Sequence, residues 1–400
     1  MSNKIITLSG LSTFLSNIED YINNLLLKKQ DTLVSGNSIK TINNTSLLGE
    51  GNIELQEPLV SGINIRTINE NDLLGNGNVI VGNIATVDTS LELIDPTSDI
   101  DIDYSTQYFT IESLENENQV SFTADIIYST DGSSWNTLNS GESILINNGD
   151  KVRFKGTLIP TSSGIGKFST TQNYKVYGNI MSLIHSDDFI DKTSFKTSYN
   201  YVFTALFANS TTLIDTSELI LPATTLTQYC YQFMFSGCTN LISAPELPAT
   251  TLANSCYQGM FQDCASLTIT PELPATNLVH GCYQIMFDDC TGLTTAPALP
   301  ATTLASSCYS GMFQNCTNLT TAPELSAATL VNYCYNNMFS GCSKLNYIKM
   351  LATDISADHC MYAFASRTAS SGTFVKHPDI EIPRGQDGIP YGWTIVNAEL

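Results

Sequence analysis

The sequence of 400 residues predicts a multidomain protein that ends in an α/β solenoid. Three observations predict it: a 26-residue repeat in the C-terminal half, a different 26-residue repeat near the N-terminus, and short alternating strands between the two. Repeats of fixed length, about 20 to 50 residues, are typical of solenoids in which each unit buries its apolar face against its neighbours. We expect an N-terminal amphipathic helix, small β repeats, an all-β sandwich, the solenoid and a C-terminal cap. Their predicted bounds are residues 1–30, 31–87, 88–182, 183–372 and 373–400.

The C-terminal repeat reads L-P-A-T-T-L, four residues, C-Y-x-x-M-F-x-x-C and then L-x-x-A-P. Leu226, Cys230, Met234 and Cys238 are four residues apart, which predicts the apolar stripe of a short helix. The threonines of the motif are placed to cap that helix. Gly237 stands in a column of Gly, Asp and Asn residues, the types that favour a left-handed helix end. The residues that follow predict a short strand in a parallel sheet.

The eleven cysteines fall into two columns of this repeat. Their odd number and strict columns favour buried, reduced thiols, because free cysteine packs as a small apolar residue. Disulfides or a metal site are the alternative, although the spacing never provides the C-x-x-C pairs of a zinc site. The columns are Cys230, Cys256, Cys282, Cys308, Cys334 and Cys360, and Cys238, Cys264, Cys290, Cys316 and Cys342.

The repeat resembles the leucine-rich repeats of bacterial surface-antigen (BspA-like) proteins, which carry the same aromatic-x-x-C-x-x-L pattern. The resemblance covers roughly residues 200–365 and implies an α/β leucine-rich-repeat solenoid with a role in adhesion. Both ends depart from it, because Val202-Phe203 replaces Cys-Tyr and Phe364-Ala365 replaces Met-Phe. Degenerate end units are expected, since an end coil has only one neighbour. Residues 373–396, which include Trp393, then form the closing cap.

The N-terminal repeat occupies residues 31–80 and predicts small β units, with Gly-x-Gly at the turns. Two such units hold too few large apolar residues for a core of their own, so they need partner chains. Their sequence motif S-G-x-x-I-x-T-I-N resembles the shaft and linker repeats of bacteriophage tail and head fibres. This resemblance implies fibre-like β repeats and a homotrimer. Residues 8–29 predict one amphipathic helix, either a short coiled coil or docking peptide, or a lone surface helix.

Residues 88–180 predict a compact β-sandwich with Trp135 in its core, because short alternating strands are separated by Asp-Gly and Asn-Gly turns. This block followed by cysteine repeats resembles surface proteins of gut Bacteroidetes and their phages. Asp99, Asp101 and Asp103 alternate, so on a strand they share one face. An exposed acidic strand is the favoured interpretation of these residues, and a calcium site is the alternative.

Composition excludes several partners. The chain has 17 basic and 38 acidic residues, a net charge of −21, whereas nucleic acids and anionic membranes require basic surfaces. No apolar run approaches the length of a membrane span, and we expect no signal peptide. No cofactor, metal site or catalytic residue is predicted. No serine or cysteine nucleophile occurs together with a histidine outside the repeat pattern, and the sequence contains no phosphate-binding loop.

Binding is therefore the predicted role, and three hypotheses compete. The first is a phage head or tail fibre protein, located in the virion and contacting other virion proteins and a host-surface glycan or protein. The second is a BspA-like adhesin on the bacterial cell surface, and the third is a capsule-degrading enzyme. The ligand is expected on the sheet face, which should be concave because helices are wider than strands. The candidate residues are Thr268, Thr294, Thr295, Thr320, Thr321, Glu246, Glu272 and Glu324.

Overall fold

The computed structural model describes residues 108–399 and, nearer the N-terminus, four strands of two residues each. The predicted helix at residues 8–29 and the tract with Asp99, Asp101 and Asp103 lie outside the described residues. The chain divides into two compact units, Met1–Pro96 and Thr97–Leu400.

In the first unit, each copy of the N-terminal repeat contains the same small antiparallel hairpin. β1 (Thr41–Ile42) pairs with β2 (Thr45–Ser46), and β3 (Thr67–Ile68) pairs with β4 (Asn71–Asp72). The two hairpins are 26 residues apart, so equal sequence produces equal local structure.

The second unit begins with two packed sheets. One has the strand order β12-β5-β10-β7-β8 and the other has the order β11-β6-β9, all antiparallel. Buried and solvent-facing residues alternate along these strands, as a two-layer sandwich requires. The strands are β5 (Phe109–Ser113), β6 (Asn118–Phe122), β7 (Ile126–Ser129), β8 (Asn136–Leu138), β9 (Ser143–Ile146), β10 (Lys151–Lys155), β11 (Phe168–Thr170) and β12 (Tyr174–Asn179).

Phe168 joins the two sheets. Its ring centroid lies 4.4 Å from that of Phe122 on its own sheet, and 5.2 and 5.0 Å from those of Phe109 and Phe154 on the other. The prediction that Trp135 lies in this core is wrong. Trp135 is only half-buried, packs edge-on against Tyr108 and carries the Lys155 ammonium 4.0 Å from its ring centroid. A cation over an indole face is a favourable contact that a partly exposed ring can make.

The prediction of an α/β solenoid is wrong. The structure is nearly all β, with 23% strand and 1% helix, and its described part has no helix of seven residues or more. The α-helix in this part is a single turn, α1 (Ser182–His185), which lies before the repeats. The segment C-Y-x-x-M-F-x-x-C, predicted to be helical, is instead a run of tight turns in every coil. We call this segment the turn ribbon.

Backbone hydrogen bonds explain why the turn ribbon is not a helix. The N–H groups of Cys230 and Met234 donate within their own coil, to the carbonyl three residues earlier. The N–H groups of Tyr231 and Phe235 donate to the next coil, with 2.9 Å between donor and acceptor for Tyr231. Alternate amides therefore hold the coil and join it to its neighbour, whereas an α-helix would use them all internally.

A left-handed residue at every fourth position produces these turns. Tyr229, Phe233 and Gly237 have φ values of 58°, 53° and 74°, and the same three positions are left-handed in the following coils. The Gly/Asp/Asn column at position 237 is therefore left-handed as predicted, although it ends no helix. A four-residue spacing of apolar side chains is compatible with a helix and with successive four-residue turns. The spacing alone does not distinguish the two structures, and the prediction chose the wrong one.

The opposite side of each coil is extended, but it forms isolated parallel bridges rather than a continuous sheet. Examples are Ser243 with Ile269 and Thr225 with Thr251. Short parallel strands occur only near the ends of the described solenoid. They are β13 (Leu213–Asp215), β14 (Leu219–Ile220), β15 (Tyr347–Met350), β16 (Thr373–Lys376) and β17 (Thr394–Asn397).

The solenoid core consists of columns of identical side chains. Rings of the Phe235 column stack within 7° of parallel, with centroids 5.4–5.8 Å apart from Phe207 to Phe339. All eleven cysteines are buried with free thiols. In the second cysteine column each thiol donates to the phenylalanine carbonyl of the preceding coil, as Cys264 does to Phe235 at 3.2 Å. Burial raises the pKa of these thiols and keeps them protonated.

The sandwich and the solenoid share one core. β12 is the edge strand of the sandwich, and β13 and β14 pair with it in parallel, so the coil stack starts on the sandwich. Phe207 of the first coil lies 5.8 Å from Phe168 and 5.9 Å from Phe109, which extends the phenylalanine column into the sandwich.

The other end of the stack is covered by β16, β17 and the loops around them. β15, β16 and β17 form a parallel sheet, and Trp393 is 2% exposed with its indole N–H bound to the Ala369 carbonyl. Lys376 is buried, and its ammonium donates to the Ile380 carbonyl at 2.6 Å. A buried charge requires hydrogen-bond partners, and backbone carbonyls after Lys376 provide them. These bonds hold the loop that follows β16 against the last coil.

Candidate functional site

The eight residues predicted to bind ligand are all exposed, and they lie in successive coils at equivalent positions. Coil-to-coil backbone bonds hold this face together. The Thr268 N–H donates to Ile242 at 3.1 Å, and the Asn346 N–H donates to Thr320 at 3.0 Å. The face is less polar than predicted at its first coils, because Ile242 and Ile269 are 45% and 59% exposed.

The acidic column on this face is not a row of equivalent carboxylates. Glu324 forms an ion pair with Lys349 of the next coil at 2.8 Å and also accepts the Ser326 hydroxyl. Ala298 interrupts the column between Glu272 and Glu324. Within this column, only Glu246 and Glu272 therefore lack a cationic partner among the described residues.

The prediction of a concave face loses its physical basis. It assumed helices about 10 Å wide on one side and strands about 5 Å apart on the other. The coils contain no helices, and the stacked rings of the turn ribbon are 5.4–6.2 Å apart, close to strand spacing. Both sides of a coil therefore advance by similar steps.

A second exposed polar feature lies at the corner where the L-P-A-T-T-L motif bends. The sequence predicts that these threonines cap helices. This prediction is wrong, because no helix follows them in the described coils. They are exposed instead, with parallel bridges between coils at Thr225–Thr251 and Asn277–Thr303. We call this row the threonine ladder; it comprises Thr224, Thr225, Thr250, Thr251, Thr276, Thr302, Thr303 and Thr329.

The glutamine column of the turn ribbon is not free for ligand. The Gln232 amide donates to Gln258 at 2.7 Å, and Gln258 donates to Gln284 at 3.2 Å. These half-buried side chains satisfy one another from coil to coil, as in stacked amide ladders. These glutamines stabilise the stack of coils, and we expect ligand to bind at other surfaces.

Three carboxylates cluster in neighbouring coils, at Asp263, Asp288 and Asp289. Asp288 is 6% exposed, its Oδ2 accepts the Gln262 amide at 3.1 Å, and its Oδ1 has no partner among the described residues. Burial, with the adjacent charge of Asp289, raises the pKa of Asp288 to about 7. Two carboxyl groups in different environments are a glycosidase feature, but burial keeps Asp288 away from a polymeric substrate.

The Asp288→Asn variant should be more stable than the wild type above pH 7. Because folding raises this pKa, the carboxyl stabilises the native state below about pH 4 and loses that contribution as pH rises towards 7. An amide removes the repulsion, so we expect a gain of about 1–2 kcal/mol at pH 8 and a flatter profile. Urea unfolding between pH 4 and 8 measures this, with exposed Asp191→Asn as control. Identical profiles for Asp288→Asn and wild type would contradict it.

Cysteine thiols and His280 are further candidates for catalytic chemistry in residues 108–399. Burial raises the pKa of the cysteine thiols, which opposes nucleophilic chemistry. His280 is exposed in a solvent-facing column. Among the described residues, no three His, Cys, Asp or Glu side chains are arranged so that they could hold a metal ion. Within this same part of the chain, no helix has the length and apolar character needed to cross a membrane.

Comparisons of this chain with protein-family models, with curated protein sequences and with solved structures found no match.

Proposed function

We propose that this chain is a structural and receptor-binding protein of a bacteriophage virion, a head or tail fibre whose solenoid attaches to the host cell surface. The observation that carries this proposal is a pair of exposed polar rows that repeat from coil to coil. One row is the face that carries the eight predicted ligand-binding residues, and the other is the threonine ladder. Successive coils repeat hydroxyls at near-strand spacing, which suits an extended polar ligand such as a surface glycan held by many weak contacts.

The N-terminal repeats support the fibre assignment through their resemblance to fibre shafts, and they carry the proposed homotrimer. The alternative is a bacterial surface adhesin that uses the same solenoid. The two differ in location: a fibre protein is recovered with purified virions, whereas an adhesin is detected by antibodies on intact bacterial cells.

Reversing the charge of the acidic column should weaken glycan binding. The Glu246→Lys/Glu272→Lys/Glu324→Lys variant of the full chain should bind bacterial surface polysaccharides at least about tenfold more weakly, because several contacts are lost together. A glycan array of Bacteroidetes polysaccharides provides the measurement. Exposed Glu117, Asp191 and Glu381, changed together to lysine, provide the same change of charge on other surfaces.

Three outcomes would contradict the proposal. The wild-type protein could bind no surface polysaccharide, or the triple variant could bind as tightly as the wild type. Release of new reducing ends from the polysaccharide would instead support the enzyme hypothesis. Thermal unfolding of each variant must match the wild type for the comparison to be valid.

A further inference from the structure

A cleft lies at the C-terminal end of the coil stack, apart from the two polar rows. Its volume is about 390 Å³, at the lower end of the range of about 300–1,000 Å³ for small-molecule sites. The last turn ribbon forms one wall and the loop that carries Pro383 and Asp387 forms the other. The lining includes Asp358, His359, Met361, Tyr362, Pro383 and Asp387.

The cleft exists because the stack ends here. In every complete coil, alternate N–H groups in the turn ribbon and directly before it donate to the following coil. The last to do so are Tyr333, Tyr335, Asn337, Phe339 and Gly341. The equivalent positions one coil later are His359, Met361, Ala363, Ala365 and Arg367, and no further copy of the repeat follows them in the sequence. The first three of these residues lie beside the loop that carries Asp387.

A single carboxylate replaces part of the missing coil. Asp387 accepts the Ala363 N–H at 3.1 Å. The N–H groups of His359 and Met361 have no acceptor among the described residues. Met361 is buried, His359 is exposed and both line the cleft, so their N–H groups are available to donate to a ligand there.

The side chains of the cleft are held in place before any ligand binds. Nδ1 of His359 lies 2.7 Å from a carboxylate oxygen of Asp358, and the His359 ring stacks on Tyr333 at 5.0 Å and 5°. Tyr362 lies 5.6 Å from the His359 ring and is 40% exposed. An ordered, partly exposed aromatic face loses little conformational entropy on binding.

The chemistry of the cleft selects a class of ligand. Carboxylates at Asp358 and Asp387 accept hydroxyl protons, backbone N–H groups donate to hydroxyl oxygens, and an aromatic ring packs against C–H groups. Two carboxylates in a chain of net charge −21 repel an anionic ligand. A metal ion is disfavoured because no three ligating side chains in residues 108–399 are arranged so that they could hold one.

We propose that this cleft binds one neutral hexose unit, which stacks on Tyr362 and exchanges hydrogen bonds with Asp387 and the His359 and Met361 amides. The site recognises a single sugar, whereas the polar rows contact an extended chain. The inference rests on the cleft's own contacts and does not require the rows to bind glycan.

Saturation-transfer NMR on the full chain tests the proposal, with methyl glycosides of glucose, galactose and mannose as probes and glucuronate as the acidic comparison. We expect at least one neutral glycoside to bind with millimolar affinity, and glucuronate to bind at least about tenfold more weakly. Saturation should be strongest on the ring C–H groups that meet Tyr362.

Variants separate the cleft from the rest of the surface. Tyr362→Ala should weaken binding about tenfold or more, while Tyr362→Phe retains it because the aromatic face remains. Asp387→Asn keeps an oxygen for the Ala363 amide but loses the charged acceptor, so it should weaken binding severalfold. Tyr391→Ala is the matched control, since Tyr391 is 74% exposed and does not line the cleft.

The variant with the charge of the acidic column reversed should bind the hexose as tightly as the wild type. Loss of polysaccharide binding by the acidic column and loss of hexose binding by the cleft are therefore distinguishable. The proposal is overturned if none of the three glycosides binds at millimolar concentration. It is also overturned if glucuronate binds as tightly as they do, or if Tyr362→Ala is indistinguishable from wild type.

Discussion

A chain lacking residues 108–181 is expected to lose its folded solenoid. β13 and β14 would lose their partner strand β12, and Phe207 would lose its stacking contacts with Phe168 and Phe109. Each large apolar side chain returned to water costs about 1.5–3 kcal/mol, and several are exposed together. The total is comparable with the whole stability of a domain, about 5–15 kcal/mol.

Circular dichroism and light scattering measure this result, because the truncated chain should aggregate or remain unfolded. The matched control is removal of residues 1–96, the separate compact unit, which should leave the sandwich and solenoid folded as one unit with a single unfolding transition. A soluble truncated solenoid with the wild-type unfolding midpoint would contradict the shared core.

Gly259→Ala is expected to destabilise the protein by about 2–4 kcal/mol, for two reasons that add. Gly259 has a φ of 59°, a conformation that costs an L-residue about 1–2 kcal/mol. A methyl group there would also overlap the ring of Phe233, which lies over this glycine from the preceding coil. Ile285 lies over Gly311 in the same way, 2.9 Å from the point that a β carbon on Gly311 would occupy.

Gly281→Ala is the matched control, because Gly281 has the same φ of 59° but its added methyl would meet only the flexible ends of Ser255 and Gln284. It should cost only the backbone part, about 1–2 kcal/mol. Urea unfolding of Gly259→Ala, Phe233→Ala and the double variant should show that losing the ring recovers the steric part. Equal costs for Gly259→Ala and Gly281→Ala, with no coupling to Phe233, would show that the overlap is absent.

The candidate site was predictable only in part. Periodicity alone placed Thr268, Thr294 and Glu272 at equivalent exposed positions, because residues between buried columns must face solvent. It did not show that Glu324 is neutralised by Lys349, since that contact joins different coils and different columns. The end cleft was missed for a related reason: its walls come from the last turn ribbon and a loop more than twenty residues away.

The sequence also carried a signal against the helix. Gly259 and Gly311 occur inside the segment C-Y-x-x-M-F-x-x-C, and Gly281 directly precedes it. Glycine inside a helix is unfavourable by about 1 kcal/mol. Glycines that recur in columns four residues apart indicate left-handed turns rather than a helix. The column of Gly237 was recognised for this reason, but the equivalent glycines four and eight residues earlier were not.

The sequence by itself determined the period, the buried columns and the stacking of coils. Identical apolar residues such as Cys230 and Phe235 recur at one spacing, and they can leave water only by packing on their copies. The tertiary structure alone decided the path of the backbone between them. A helix and a turn ribbon bury the same side chains, and they differ in whether alternate amides, such as that of Tyr231, bond within the coil or to the next. That choice depends on a neighbouring coil, which the pattern of a single repeat does not contain.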